Sequence, residues 1–470
     1  MLFSSIIFLY VFLPLLLLLY FNVPNAGWRR AILIVFSLIF YAWGEPVSVL
    51  LMIGCVAFNY ICGAGIAFCK SRRGARAVLC ASVAANLAML GVYKYLPFLM
   101  ETLHALTGWQ IPVPALKMPL GISFFTFQAL SYTVDVYRGD APVQRSFWRL
   151  LLYVSLFPQL IAGPIVRYKD IDDQLEDRSV SLEAVCDGAF RFALGLAKKV
   201  VLANACGEAA DGLLGMRLGE ASVISAWAGA AFYALQIYFD FSGYSDMAIG
   251  LGGIFGFRFK ENFDYPYSSR SATEFWRRWH ISLGSFFRDY VYIPLGGNRH
   301  GWLRNALLVW LLTGLWHGAS WNFIAWGLYY GLLLILEKKL LMPLAEHFSG
   351  AVRRIASAFY MTAVTLVGWT IFYFTEDFGA RVGLLFGIGA NGLGDAFDIA
   401  LIRDNVLLLA VGFFLSLPVL RNVLARLRRS TDDALAAECA LKTVFVLGAV
   451  ALSTVMLEGS SYNPFLYFRF

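Results

Sequence analysis

Continuous apolar runs close to membrane-spanning length recur along the whole chain, and they decide more than any other feature what it can fold into. They lie near 2–21, 31–43, 47–68, 77–92, 118–134 and 147–166, and again near 184–205, 222–254, 303–336, 355–374, 404–420 and 440–457. A helix needs about 20 apolar residues to cross the hydrocarbon core of a bilayer. Within that core every backbone N–H and C=O must find a partner inside the protein, which leaves helices or a closed barrel. Barrel strands alternate in polarity, and these runs do not. The reading is an all-α polytopic membrane protein with about 10–12 transmembrane or re-entrant helices.

Composition agrees. Hydrophobic residues make up 59% of the chain and charged residues 15%, against about 25% charged in an ordinary soluble domain. A soluble enzyme, a disordered chain and a disulfide-rich secreted domain are excluded. The first run has no basic residue before it and is too long for a signal-peptide core, so it should stay as a membrane helix despite Pro14. No linker separates a soluble domain; the expectation is one integral-membrane domain, 1–470, with a motif-rich core at 118–336. The formal charge of +7 points to cytoplasmic loops between spans, not to a nucleic-acid partner. Basic clusters sit in KSRRGAR (70–76), in the long segment 255–304 and in RNVLARLRR (421–429). The middle one is dense in aromatic residues and suits a segment lying in or dipping through the interface. The seven cysteines include no Cys-x-x-Cys pair, and Cys55, Cys62 and Cys69, seven apart, read as helix packing and not as a metal site.

Several motifs drop out. GIGANG (387–392) formally fits Gly-x-Gly-x-x-Gly but has no strand–turn–helix context, and it reads as a loop. No phosphate-cradling loop, serine nucleophile elbow or His-Glu-x-x-His is present.

Of five histidines, His317 stands out, because no other Asp, Glu, Lys, Arg or His lies between Asn305 and Leu336. Such a residue at membrane depth faces a cavity or a partner by default. Gly314, Gly318, Ala319 and Ser320 loosen the packing around it, and Trp316, Trp321 and Trp326 flank it. One reading is a neutral imidazole hydrogen-bonded between helices. The other is a general base that takes a proton from an alcohol attacking an acyl carbonyl. His280 lies in TEFWRRWHISLGSFFRDY. If that stretch is helical, Trp276 and His280 share a face and Glu274 can pair with Arg278. Arg277 and Arg278 then suit a phosphate-bearing acyl donor, or else the helix is amphipathic and interfacial. Asp240 and Asp246 sit in another apolar stretch, as interhelical contacts or as tunnel lining.

Three ordered motifs, FDFSGYSDMAIGLG, ENFDYPYSSRSATEFWRRWHISLGSFFRDYVYIPLGGNRHG and GLWHGASWNFIAWG, resemble those of the membrane-bound O-acyltransferase (MBOAT) family. The branch most similar contains the alginate O-acetyltransferase membrane subunit and its peptidoglycan and cellulose acetylation relatives. MLFSSIIFLYVFLPL, PLGISFFTFQALSYTVDVYRGD, FPQLIAGPIVRY and the tail NPFLYFRF fit the same branch. The resemblance implies a ring of helices around a central tunnel, with funnels from both sides meeting near the catalytic histidine. It places the family's membrane histidine on His317 and its second histidine on His280. Arg277, Arg278, Trp316, Asn322 and Asp240 become donor-binding or tunnel-lining candidates, with no metal ligand. It implies acetyl-CoA as acyl-donor substrate with no tightly bound cofactor, and a bacterial inner-membrane location. An exported polysaccharide would be the acceptor, and a periplasmic transferase with a serine nucleophile the partner. Gly284 stands where relatives carry serine. A D-alanyl transferase working from a carrier-protein thioester onto teichoic acid would show the same histidines. A transporter with a buried gating histidine is the reading from another class, though no internal symmetry of paired halves supports it.

Overall fold

The computed structural model describes residues 1–109, 112–114, 116–176, 178–422, 435–460 and 462–466, and among them all regular secondary structure is helical. Among the described residues, four helices are long and apolar enough to cross a membrane: Ser48–Phe68, Arg72–Thr107, Gly350–Tyr373 and Ala440–Gly459. Other apolar runs fold as shorter or broken helices. The run at 147–166 becomes Phe147–Ser155 and Phe157–Leu160, broken ahead of Pro158, which cannot donate to a continuing helix. The chain is an all-α, multi-pass membrane protein.

Its contacts cluster into two compact units, Met1–Phe192 with Ser245–Lys260, and Ala193–Tyr244 with Glu261–Phe470. In the first, Asn59 on the Ser48–Phe68 helix meets Asn86 on Arg72–Leu90, each side-chain amide donating to the other's oxygen at 3.1 and 2.9 Å. Ser82 Oγ donates to Asn59 Oδ1 at 2.9 Å. Interhelical hydrogen bonds of this kind hold helices where lipid offers no hydrophobic drive between them. Asp246, one of the two acids in the long apolar stretch, pairs with Arg191 in the same unit at 2.7 Å. Cys55 and Cys62 are buried free thiols. Ser71 caps the Arg72–Leu90 helix, which opens inside the first basic cluster. Of the third cluster, 423–429 lie outside the described residues.

The second unit carries both histidines of interest. The run at 303–336 is not one helix. It folds back on itself as Trp302–His317 and Trp321–Leu336, turning through an extended Gly318. Glycines make the hairpin close: a Cβ on Gly314 would run into the Phe323 carbonyl, and one on Gly327 into the Trp310 carbonyl. Gly327→Ala is therefore expected to destabilise the protein by about 1–3 kcal/mol, lowering its thermal unfolding midpoint in detergent. Gly448→Ala, with nothing within 4 Å of the added carbon, should leave the midpoint unchanged or raise it slightly. Equal midpoints for the two variants would refute the close approach. GIGANG is a turn, with positive φ at Gly387, Gly389 and Gly392.

Candidate active site

The segment leading to His280 is built from short pieces. Ala272–Arg278 is a seven-residue helix capped by Ser271, whose side chain accepts from the Glu274 N–H at 3.0 Å. Its first N–H groups, those of Ala272 and Thr273, donate to the buried carboxylate of Glu337. A carboxylate suits the positive end of a helix and satisfies donors that have no partner within it. Glu274 pairs with Arg278 at 2.7 Å, as the i,i+4 spacing suggests.

The helix stops there. Trp279 is extended, and His280 takes a left-handed conformation with φ 45° before a second short helix, Ile281–Phe287. Trp276 and His280 therefore do not share a helical face. A non-glycine residue in that region costs roughly 1–2 kcal/mol and needs to be held. Asn262 does the holding. Its backbone carbonyl accepts from the Ile281 N–H at 3.0 Å, and its Oδ1 accepts from the Ser282 N–H at 3.2 Å and Ser282 Oγ at 2.8 Å. The Ser282 N–H can only donate, so the atom facing it is an acceptor. His280 Nδ1, 3.1 Å from the same Oδ1, is then the protonated ring nitrogen. That leaves Nε2, which is buried and has no hydrogen-bond partner among the described residues, carrying the lone pair. Burial pushes the His280 imidazole down to about 3, so the ring is neutral and basic in form.

His317 is the last residue of its helix and is nearly buried. Its ring lies against Trp316 at 5.0 Å, Trp326 at 5.1 Å and Phe372 at 5.2 Å between centroids. Both histidines line one cavity of ≈ 170 Å³, with Trp276, Trp279, Thr313, Arg288 and Tyr292 also in its wall. On another side His317 lines a second, smaller cavity of ≈ 30 Å³ together with Asp240, Trp369 and Phe372. Trp316 packs on both imidazoles, 5.6 Å from His280.

The remaining sequence candidates take up varied places. Asp240 is in the wall beside His317, paired with Lys199 at 2.7 Å. Asn322 is fully buried, and its Nδ2 donates to the carbonyls of Ile371 and Phe372 at 3.2 and 3.1 Å. It positions the Phe372 ring and lines neither cavity. Arg277 is exposed, and Arg278 is held by Glu274 and by Ser268 Oγ at 3.1 Å. Neither lines either of these two cavities; Arg288, ten residues after Arg278, lines the larger. Gly284 lines the larger cavity, and a Cβ there would sit 3.8 Å from the Trp276 carbonyl, so a serine would fit.

Asn262→Ala should release the left-handed turn and the ring tautomer together. Turnover is expected to fall about tenfold or more, while Asn262→Asp, which keeps the acceptor, retains most of it. The pair is read from initial rates at matched expression, and equal losses in both would refute a role for the acceptor.

Two imidazoles in the wall of one cavity, within an all-α multi-pass membrane protein, define the class: an integral membrane protein with a pair of side chains able to take up and return a proton. Residues 92–375 match the model of the membrane-bound O-acyltransferase family. A probable alginate O-acetylase of Azotobacter vinelandii is 38% identical over the full length of both chains. One from Pseudomonas aeruginosa is 41% identical over 79% of this chain and 72% of its own. A peptidoglycan O-acetyltransferase of Helicobacter pylori is 34% identical over 84% of this chain and 81% of its own. The chain belongs to the membrane-bound O-acyltransferase family and is an O-acyltransferase.

Proposed function

We propose that the chain moves an acetyl group from cytoplasmic acetyl-CoA, through the bacterial inner membrane, to hydroxyls of an exported polysaccharide by way of a periplasmic partner with a serine nucleophile. The observation that carries this reading is the single cavity lined by both His280 and His317. Arg288 stands in its wall with its side chain 62% exposed and paired with Asp289 at 2.7 Å, and a coenzyme A phosphate would compete with that carboxylate for the guanidinium. The names of the relatives, acetylases of alginate and peptidoglycan, support a glycan as final acceptor.

In the reaction an acceptor hydroxyl gives its proton to the His317 imidazole as its oxygen attacks the thioester carbon. The carbon–sulfur bond breaks, and the thiolate takes the proton from the imidazolium. One ester and one thiol leave in place of one alcohol and one thioester. His317 suits this role because it ends a helix, where the macrodipole stabilises a cation by about 0.3–1 kcal/mol. His280, with Nε2 as acceptor, is placed to orient the hydroxyl or the donor.

A D-alanyl donor would bring an ammonium group into the site. The carboxylate beside His317 is that of Asp240, already neutralised by Lys199, so the small cavity offers that ammonium no free counter-charge. This favours acetyl.

The test uses inside-out membrane vesicles from native cells, with and without this chain, given acetyl-labelled CoA. Label in hydroxylamine-labile esters, dependent on the chain, is the expected result. Equal labelling without the chain would overturn the reading.

A further inference from the structure

The smaller cavity owes part of its wall to the far end of the sequence. Phe465 and Leu466 line it with His317, Phe241, Trp326 and Phe372. The segment that brings them there, 462–466, is held by hydrogen bonds at four of its five residues. Tyr462 Oη donates to Asp211 Oδ2 at 2.7 Å, and Asn204 Nδ2 donates to Asn463 Oδ1 at 3.3 Å. Lys199 Nζ donates to the Pro464 carbonyl, and the Leu466 N–H donates to Asp240 Oδ2 at 3.0 Å. Lys199 and Asp240 are themselves almost wholly buried, with side-chain exposures of 4% and 2%. So the tail is seated by a buried ion pair at the point where it meets the His317 cavity.

We propose that Phe465 and Leu466 set the upper limit on acyl length. They close the apolar chamber into which the methyl of an acyl group projects when its carbonyl carbon is at His317. The inference rests on the thioester reading above. The chamber's ≈ 30 Å³ is small beside the ≈ 170 Å³ of the cavity shared by the two histidines, so it takes a short acyl tail and not a long one. Its lining is apolar apart from His317 and Asp240, and the Asp240 carboxylate is taken up by Lys199 and the Leu466 N–H. A methyl group fits those walls better than a hydroxyl, which would lose its hydrogen bonds there. The thioester end of the coenzyme arm then enters the larger cavity, with Arg288 in its wall. Each further methylene has to displace the Phe465 ring or the Leu466 side chain.

Vesicles carrying the full chain are given acetyl-, propionyl-, butyryl- and hexanoyl-CoA, and thiol release is followed for each. For the wild type, each added methylene should lower kcat/KM by about tenfold or more, within the roughly 10–200-fold a shaped pocket gives per methylene. Phe465→Ala and Leu466→Ala should raise the butyryl-to-acetyl ratio about tenfold, and Phe465→Trp should lower the propionyl-to-acetyl ratio. The ratio is taken within each variant, so lower expression does not move it. If Phe465→Ala fails to accumulate, Phe465→Leu carries the same direction at smaller size. Acetyl transfer with a flat wild-type profile, or with ratios unmoved in the tail variants, overturns the proposal and leaves the thioester reading standing. No thiol from any thioester, with wild type equal to His317→Ala, overturns both.

Discussion

His317→Ala is expected to lower acyl transfer by about 10²–10⁴-fold, the range a positioned acid–base group contributes. The substitution removes the imidazole that lines both cavities. It should leave the larger cavity formed, because its walls come from Trp276, Trp279 and Arg288 on the Ala272–Tyr292 stretch and from Trp310 and Thr313 on the hairpin. Donor binding, measured with a non-hydrolysable CoA thioether, should therefore persist while transfer is lost. His317→Gln separates base from packing, since it keeps hydrogen-bonding capacity and much of the volume but cannot take up a proton at neutral pH. It should be as inactive as the alanine variant. Undiminished transfer in His317→Ala would move the base to His280, the other imidazole of the cavity.

His317 was legible in the sequence because membrane depth makes any acidic or basic side chain conspicuous, and no other Asp, Glu, Lys, Arg or His lies between Asn305 and Leu336. The apolar runs gave the helices for the same reason of contrast. The groups that position the site are another matter. Asn262 reaches His280 from 18 residues away in a stretch without regular secondary structure, and no periodicity marks such a residue. Glu337 reads as the charged end of an apolar helix, yet it is buried and caps a helix 65 residues earlier in the chain. The arginines show how a local rule misleads. Helical spacing gathered Arg277 and Arg278 around His280 only if the helix continued through Trp279, and the left-handed turn at His280 ends it. That turn re-aims the chain, so the basic residue lining the cavity is Arg288. The small residues Gly314 and Gly318 mark the hairpin in the sequence. The space beside them is filled by Phe323, by its carbonyl at Gly314 and by its ring at Gly318.

Asp240→Leu is expected to be the most destabilising single change in the second unit, by about 3–5 kcal/mol, because it leaves a buried ammonium without its counter-charge. Lys199 would keep only the Pro464 carbonyl as a described partner, with its side chain 4% exposed. Lys199→Met should cost a similar amount, by stranding the Asp240 carboxylate with the Leu466 N–H alone. The double variant should recover a good part of the loss, since two apolar groups of similar volume do not need each other's charge. Recovery stays incomplete because the Pro464 carbonyl and Leu466 N–H then lack partners in a buried place. Unfolding midpoints of the three variants in detergent give the coupling, and additive losses would show that the two charges act independently. A second readout follows from the position of the pair. Each single variant should speed amide hydrogen exchange over 463–466 in native vesicles, at denaturant concentrations where the Gly350–Tyr373 helix is still protected. If the midpoints fall and the tail stays protected, the ion pair holds the helices together and not the tail. The polar ladder on the helical stretch from Lys198 to Leu214 argues for the tail, since Tyr462, Asn463 and Pro464 take Asp211, Asn204 and Lys199 in order and the Lys199–Asp240 pair sits where the segment joins the His317 cavity.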